Sequence, residues 1–270
     1  MHNIVVLVQY DGTNYFGWQK QNNQITVQGE LTKAFEKVID DDFTLVGSGR
    51  TDKGVHASCQ IVNIKTLKFW VPIDNLPEVL NNSLNKDIRV LKAWKVHPKF
   101  NARYYAVARE YTYTFITRWD VFRTRFGTYY PHELDLQSLK DVSQAFIGKH
   151  DFTSFSKYNK ETASYVCDVK SLDWVQLDNH SYRMTIRADR FVYSMVRSLA
   201  GVIVEASRGR RDAEELSTEL HLKDRTFNSQ IAAPYGLVLN KVLYPEEFDF
   251  INEYVNDNCE APVPWSRNTL

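Results

Sequence analysis

The chain contains 270 residues, of which 43% are hydrophobic and 24% are charged. This is the composition of a globular protein that can bury a sizeable core. The 33 Lys and Arg residues balance the 33 Asp and Glu residues, so overall charge gives no argument for a nucleic-acid partner.

Targeting and redox signals are weak throughout the sequence. No apolar run approaches the roughly 20 residues that span a bilayer, and the first residues lack the basic segment of a signal peptide. The three cysteines, Cys59, Cys167 and Cys259, are widely spaced, which implies no disulfide framework and suits a reducing compartment. We therefore expect a cytoplasmic protein.

The first part of the chain predicts the order β-α-β-β-α-β. Apolar, β-branched runs indicate strands, and apolar residues at spacings of three and four indicate helices. The predicted strands are 4–10, 43–47, 59–66 and 89–96, and the predicted helices are one that Thr26 caps and one over 73–84. This order is typical of a ferredoxin-like unit.

The second part repeats that outline. The predicted strands are 103–117, 165–177, 182–188 and 236–244, and the predicted helices are 136–147 and a long one that starts near Phe191. We expect an α/β (α+β) fold in which two ferredoxin-like halves share an extended, mostly antiparallel sheet with a central cleft. The predicted divisions are 1–102, 103–245 and an acidic tail over 246–270, whose first 15 residues include six acids and no Lys or Arg.

A glycine-rich loop over 47–57, GSGRTDKGVHA, connects two apolar strands and holds one carboxylate, Asp52. A charged loop that a scaffold holds between buried strands is a common place for chemistry. The alternative is an ordinary polar hairpin in which Asp52 is a turn former. Left-handed φ angles at Gly47, Gly49 and Gly54 would let a ligand backbone approach closely.

A basic strip over residues 89–125 holds most of the local positive charge. Its nine cations, against Glu110 and Asp120, are Arg89, Lys92, Lys95, Lys99, Arg103, Arg109, Arg118, Arg123 and Arg125. Within it, Tyr111, Tyr113 and Phe115 share one strand face. Aromatic rings beside cations can stack RNA bases while phosphates are bound. The alternative, that the rings are core, best suits Tyr113 or Phe115.

Arg197 lies in the apolar stripe of the long helix and needs a partner, because an unpaired buried charge is costly. Asp52 is the candidate partner, and the alternative is that Arg197 extends to solvent. The glycine loop is not a Walker A sequence, no second ligand pair accompanies His56 and Cys59, and no serine occupies a nucleophile elbow. The sequence therefore predicts no metal and no cofactor.

Seven blocks match one known family. They are YDGTNYFGWQKQ (10–21), VQGEL (27–31), GRTDKGVHA (49–57), FNARYYAVAREYTYTF (100–115), HDFTSFSK (150–157), FVYSMVRSLAGVIVEASRGRR (191–211) and AAPYGLVLNKVLYP (232–245). In order and spacing, the chain resembles the tRNA pseudouridine synthase A (TruA) family over nearly its whole length. Two positions depart from the family, which usually has Asn where Ser194 stands and Gly where Ala188 stands.

The resemblance implies roles for five residues. Asp52 matches the catalytic aspartate, Tyr111 the tyrosine that stacks on the target base, and Arg197 the arginine that pairs with the aspartate. Arg50 matches an arginine implicated in holding the flipped-out RNA, and Leu237 matches an apolar wall residue.

The resemblance also implies a pseudouridine synthase fold of two ferredoxin-like halves around a basic cleft. It implies a homodimer that binds the elbow and anticodon arm of tRNA. The reaction would isomerise uridine to pseudouridine at neighbouring positions of the anticodon stem-loop (positions 38–40), without metal, ATP or redox cofactor. Three other functions stay open: a non-catalytic protein that binds structured RNA, an RNA N-glycosidase and a structural scaffold.

Overall fold

The structure, a computed structural model, describes residues 1–227 and 231–262. The strands are β1 (His2–Tyr10), β2 (Phe43–Gly47), β3 (His56–Thr66), β4 (Ile88–Lys95), β5 (Ala108–Ile116), β6 (Thr128–Tyr129), β7 (Gly148–Asp151), β8 (Val166–Asp178), β9 (Ser181–Ala188) and β10 (Leu237–Leu243). The helices are α1 (Val27–Glu36), α2 (Leu76–Asn81), α3 (Leu136–Ser143), α4 (Met195–Ser207), α5 (Ala213–Leu222) and α6 (Asp249–Asn258).

These elements form two compact units. The first contains Met1–Val107 and Val238–Ala261, and the second contains Ala108–Leu237 and Pro262. The second unit therefore consists mainly of one long continuous segment. The first unit consists of two segments, which stand before and after that segment in the sequence. The divisions at 102 and 245 remain a prediction about which segments fold together.

The first unit contains the predicted β-α-β-β-α-β order. β1 pairs antiparallel with both β3 and β4, and β2 pairs antiparallel with β3, which gives the strand order β4-β1-β3-β2. The start of β3 pairs instead with β10, in parallel, with His56 opposite Val238. β2 and β10 therefore occupy the same side of β3.

Two helices of the first unit show how the sequence directs its packing. The side chain of Thr26 accepts a hydrogen bond from the Gly29 N–H at 3.2 Å, so α1 has the predicted cap. In the acidic tail, α6 buries Ile251 and Val255, and its Tyr254 meets the ring of Trp94 edge-on at 5.5 Å. The last part of the predicted tail, 263–270, lies outside the described residues.

The strands of the second unit pair mostly antiparallel. β9 pairs with β5 and β8, β8 pairs with β7, and β6 adds a short parallel pairing to β5. The predicted hairpin turn between strands β8 and β9 is confirmed. With these strands and the helices, the predicted mixed α/β class with mostly antiparallel pairing is confirmed.

Several predicted boundaries were wrong. β5 begins at Ala108, since 102–104 form a turn and 105–107 are irregular rather than strand. α4 begins at Met195 and not near Phe191, because Ser194 adopts a left-handed φ of 60° that a helix cannot contain. The segment predicted as one helix over 73–84 is a 3-10 turn followed by the short α2. Within residues 1–227 and 231–262, no helix is long and apolar enough to cross a membrane.

Candidate active site

The loop between β2 and β3, residues 48–55, is anchored at its beginning by Gln60 of β3. The Ser48 N–H donates to the Ile61 carbonyl at 2.8 Å, and the Ser48 hydroxyl bonds to Gln60 Oε1 at 2.6 Å. Gln60 Nε2 then donates to the Gly49 carbonyl at 3.0 Å. Since the Gln60 side chain is fully buried, these bonds fix the loop to the core of the first unit.

The segment after β1 holds the other end of the same loop. The Trp18 N–H donates to the Thr51 carbonyl at 3.0 Å, and the Gly54 N–H donates to the Tyr15 carbonyl at 3.3 Å. The hydroxyl groups of Tyr10 and Thr51 lie 2.8 Å apart in the buried interior. Backbone bonds on both sides of Asp52 therefore define the path of the chain at that residue.

Glycines of the first unit fit tightly against this loop. A Cβ on Gly12 would lie 2.0 Å from the Val55 carbonyl oxygen, and one on Gly17 would lie 2.7 Å from the Thr51 carbonyl oxygen. Neither contact is possible for a residue with a side chain, and Gly17 also has a left-handed φ of 88°. The sequence reasoning missed both residues, although they stand in the first matching block.

The predicted left-handed glycines are only partly found. Gly54 has a φ of 78°, whereas Gly47 and Gly49 are not among the described glycines with positive φ. For Gly47 the reason for glycine is different, since a Cβ there would lie 2.6 Å from the ring of Trp18. Gly47 therefore serves packing inside the protein, and close approach of an RNA backbone remains a prediction for Gly54.

Asp52 is the first residue of the turn in this loop. Its carbonyl accepts from the Val55 N–H at 3.1 Å, and the residue is half-buried. Its neighbours Arg50 and Lys53 are exposed, with the Lys53 ammonium 4.1 Å from the centre of the Phe16 ring. The first unit thus presents one carboxylate on a fixed backbone turn between two exposed cations.

We expect Gly12→Ala to lower the free energy of unfolding by about 2 kcal/mol or more. The added methyl group would meet the Val55 backbone, which cannot move unless the loop that carries Asp52 moves too. Urea denaturation measures the change. Gly127→Ala is the matched control, because its Cβ would lie 3.1 Å from the Ile116 side chain and 3.3 Å from the Arg123 carbonyl oxygen, contacts that a small shift relieves. Equal losses in the two variants would contradict this packing account.

In the second unit, Tyr111 stands on β5 opposite Ile186. Its side chain meets Phe191 edge-on at 5.1 Å, and the residue is 8% exposed. Arg109, two positions earlier on the strand, donates to the Asp189 carbonyl at 3.0 Å. Phe191 and Asp189 both lie between β9 and α4. The chain between these two elements therefore packs against the first half of β5, where Tyr111 stands.

The other aromatic residues of β5 belong to the core, as the alternative interpretation held for them. Tyr113 is fully buried, and its hydroxyl donates to the Ala233 carbonyl at 2.6 Å. Burial raises the pKa of Tyr113 well above its ordinary value, so the phenol stays neutral. Phe115 packs against Tyr113 at 4.7 Å and stacks on Trp174.

Arg197 lies in the first turn of α4 and is half-buried. Its Nε donates to the Ala232 carbonyl at 2.8 Å, and its own carbonyl accepts from the Ala232 N–H at 3.1 Å. This pair of bonds ties the start of α4 to the segment that precedes β10. The guanidinium is therefore held in place by backbone, and its pairing with Asp52 remains a prediction.

Leu237 is the buried first residue of β10 and follows a 3-10 turn over Pro234–Gly236. A Cβ on Gly236 would lie 2.5 Å from the Thr114 carbonyl oxygen, so only glycine lets this turn lie against β5. The close packing of Gly236 against β5 therefore fixes the position of the backbone at Leu237. The sequence reasoning missed Gly236, although it is part of the last matching block.

The five predicted site residues are divided between the units. Arg50 and Asp52 belong to the first, and Tyr111, Arg197 and Leu237 belong to the second. All of them except the exposed Arg50 are held by backbone or core contacts of their own unit. Among the residues that the structure describes, no group of three or more His, Cys, Asp and Glu side chains could hold a metal ion.

Comparison with known proteins identifies the class to which this pair of α/β units belongs. The family described as tRNA pseudouridine synthase matches residues 6–105 and 142–245. tRNA pseudouridine synthase A of Caldicellulosiruptor saccharolyticus is 39% identical over 248 residues, which cover 90% of this chain and all of that protein. The Clostridium kluyveri and Bacillus pumilus proteins of the same name are 37% and 36% identical over 90% and 88% of this chain and 100% and 97% of their own lengths.

The chain belongs to the tRNA pseudouridine synthase A family, and its class is that of an isomerase. The matched segments include the loop with Asp52 and the starts of both α4 and β10, while residues 106–141 lie outside the family match. All of β5, including Tyr111, and all of β6 therefore stand in a part of the chain that the family description does not cover.

Proposed function

We propose that this protein isomerises uridine to pseudouridine in the anticodon stem-loop of tRNA, at positions 38–40, with Asp52 as the catalytic carboxylate. The observation that carries the proposal is the loop of residues 48–55, which lies in the family match and presents Asp52 on a backbone that bonds fix on both sides. A carboxylate in a fixed position can contribute to bond cleavage without the entropy cost of finding its substrate.

The reaction needs one such group. Pseudouridine forms when the N1–C1′ bond breaks, the uracil turns and a C5–C1′ bond forms, after which the C5 proton leaves. Ionised Asp52 could add to C1′, add to the base or help to remove a C2′ proton, and it could stabilise positive charge on the sugar. These routes share one requirement, an ionised carboxylate beside the target nucleotide.

The remaining site residues would bind the extruded nucleotide. A uridine in a stem or loop must leave its stack to react, and the ring of Tyr111 would receive the exposed base. Arg197 would keep Asp52 ionised, because a nearby positive charge favours the carboxylate. Leu237 would form an apolar wall, and exposed Arg50 would hold the flipped-out conformation of the RNA.

Phosphate contacts would come from the exposed cations of the basic strip. Arg123 is buried and bonded to Asp178 and Ser181, so it serves the fold. The exposed cations of the strip are Arg89, Lys95, Lys99, Arg103, Arg118 and Arg125. A set of exposed Lys and Arg suits recognition of the RNA backbone by shape rather than by sequence.

We expect tRNA affinity to fall steeply with salt, because each phosphate contact releases counterions. A plot of the logarithm of the association constant against the logarithm of the salt concentration should have a slope that is shallower by roughly 0.7–0.9 in Lys99→Gln. Lys140→Gln is the control, since Lys140 lies 3.6 Å from Asp173 in an exposed ion pair. Filter binding or fluorescence anisotropy at several salt concentrations measures the slope, and a flat response would contradict the phosphate contacts.

Nucleoside analysis of unmodified tRNA after incubation with the protein tests the proposed function. Mass spectrometry after cyanoethylation should show pseudouridine and no free uracil. An RNA N-glycosidase would release uracil, a non-catalytic RNA-binding protein would bind tRNA without changing it, and a scaffold would do neither. We also propose from the family resemblance that the protein acts as a cytoplasmic homodimer and contacts the tRNA elbow as well as the anticodon arm.

A further inference from the structure

His56 is a buried histidine to which the proposed chemistry gives no role. It begins β3, shortly after Asp52 in the chain, and Val238 of β10 lies opposite it. The residue is only 1% exposed. A buried imidazole must satisfy its nitrogens within the protein, so its partners show what it holds together.

Two partners of His56 Nδ1 come from the turn that follows β1. The Gly12 N–H donates to His56 Nδ1 at 3.1 Å, and Oδ1 of Asp11 lies 3.0 Å from the same nitrogen. Oδ1 of Asp11 also accepts from the backbone N–H and the hydroxyl of Thr13, at 3.0 and 2.6 Å. The imidazole is therefore built into an ordered turn.

Either protonation state of Nδ1 maintains this link. Without a proton, Nδ1 accepts from the Gly12 N–H, and with a proton it donates to the Asp11 carboxylate. Both partners belong to the same turn. His56 thus joins the turn after β1 to the start of β3 whether the ring is neutral or charged.

The same turn continues into the residues that hold the Asp52 loop. Gly12 leaves no room for a side chain against Val55, and the Trp18 N–H bonds to the Thr51 carbonyl. The loop is thus held from one side by the segment 12–18 and joined directly to His56 at its end. A shift of the turn at His56 would move the backbone contacts on both sides of Asp52.

We propose that His56 is a positioning residue for Asp52, acting through Nδ1 on the turn at Asp11 and Gly12. This inference rests on the proposed catalytic role of Asp52. His56 itself does not touch substrate in this proposal. It keeps the loop in the one backbone arrangement in which the Asp52 carboxylate meets the ribose, and a misplacement of about 1 Å can cost about a hundredfold in rate.

Two amide substitutions separate this role from mere packing. In His56→Asn an amide atom occupies the position of Nδ1, whereas in His56→Gln the amide atoms reach the position of Nε2. We expect H56Q to lower kcat about 10- to 100-fold, while the Kd for tRNA stays within about twofold of the wild-type value. H56N should keep kcat within about threefold of the wild-type value. Release of tritium from tRNA labelled at uridine C5 measures kcat.

His221→Gln is the control, since the exposed His221 also bonds backbone through Nδ1, at 2.6 Å from the Ser217 carbonyl. It should behave as wild type. Wild-type kcat in H56Q, or equal losses of kcat in H56N and H56Q, would overturn the proposal, as would a parallel loss of tRNA binding in H56Q. If H56Q does not fold, Asp11→Ala replaces it, because this change removes the Oδ1 that meets both Nδ1 of His56 and the Thr13 donors. A lowered kcat is expected, and a wild-type kcat would overturn the proposal.

The outcome is distinguishable from failure of the proposed function. If Asp52→Asn keeps its turnover, Asp52 is not the catalytic carboxylate and the role of His56 falls with it. If Asp52→Asn is inactive while H56Q turns over normally, the proposed function stands and the positioning role alone is wrong.

Discussion

Asp52→Asn should lower pseudouridine formation by at least about a thousandfold while tRNA binding persists. The amide is nearly the same size as the carboxylate but has no charge to stabilise the sugar and no electron pair basic enough to add to it. The loop should keep its form, because the bonds at the Thr51 carbonyl and the Asp52 carbonyl involve only backbone.

Single-turnover tritium release with excess enzyme measures this loss, and the Kd for tRNA measures binding. Asp42→Asn provides the control, as Asp42 is an exposed carboxylate of the same unit and should be dispensable. If D52N, purified free of host enzyme, turned over at a rate near that of D42N, the assignment of Asp52 would be wrong.

Tyr111→Ala should lower the rate about 10- to 100-fold, whereas Tyr111→Phe should keep most of the activity. The phenyl ring preserves both the stacking surface and the edge-on contact with Phe191, and alanine removes both. Stacking of a base on an aromatic ring is worth about 1–3 kcal/mol, which sets the size of the effect.

Because Tyr111→Ala also leaves a cavity, its effect on folding must be separated from its effect on catalysis. Tyr182→Ala is the matched variant, since Tyr182 lies on β9 of the same unit and is likewise 8% exposed. Thermal unfolding should show comparable destabilisation for the two alanine variants, with activity retained only in Y182A. Equal activity in Y111F and Y111A would indicate that the tyrosine is purely structural.

Much of the fold follows from short-range pattern. The β-branched runs of β1 and β3 and the spacing of apolar residues in α1 predicted the first unit in the correct order. The start of α4 was misplaced because periodicity cannot register a single left-handed residue. Ser194 stands where the family usually has Asn, which tolerates that backbone conformation better.

The tail shows a second limit of sequence patterns. Residues 246–260 read as an acidic segment, and their charges obscured the apolar stripe of α6. That stripe packs in the first unit beside Trp94, a residue far away in the sequence. Patterns report which residues could be buried together but not the distant partner that buries them.

In the site too, local patterns were visible in the sequence and contacts between distant segments were not. Glycines and a lone carboxylate between apolar strands made the Asp52 loop visible. The aromatic strand and the apolar helix stripe pointed to Tyr111 and Arg197, and the family resemblance added Arg50 and Leu237. What the sequence concealed were contacts between distant segments: Gly12 against Val55, and Arg123 with Asp178. The second of these removes a cation from the predicted RNA-binding strip, because a guanidinium bonded in the interior cannot also bind phosphate.

The central claim is that Asp52 of this chain isomerises uridines of the tRNA anticodon stem-loop. A position-resolved map tests it most directly: unmodified tRNA is incubated with wild-type protein or with D52N, labelled with carbodiimide and read by primer extension. We predict labelled stops at uridines of positions 38–40 with wild type and none with D52N. Stops confined to other parts of the tRNA, no stops with wild type, or the same stops with D52N would contradict the account.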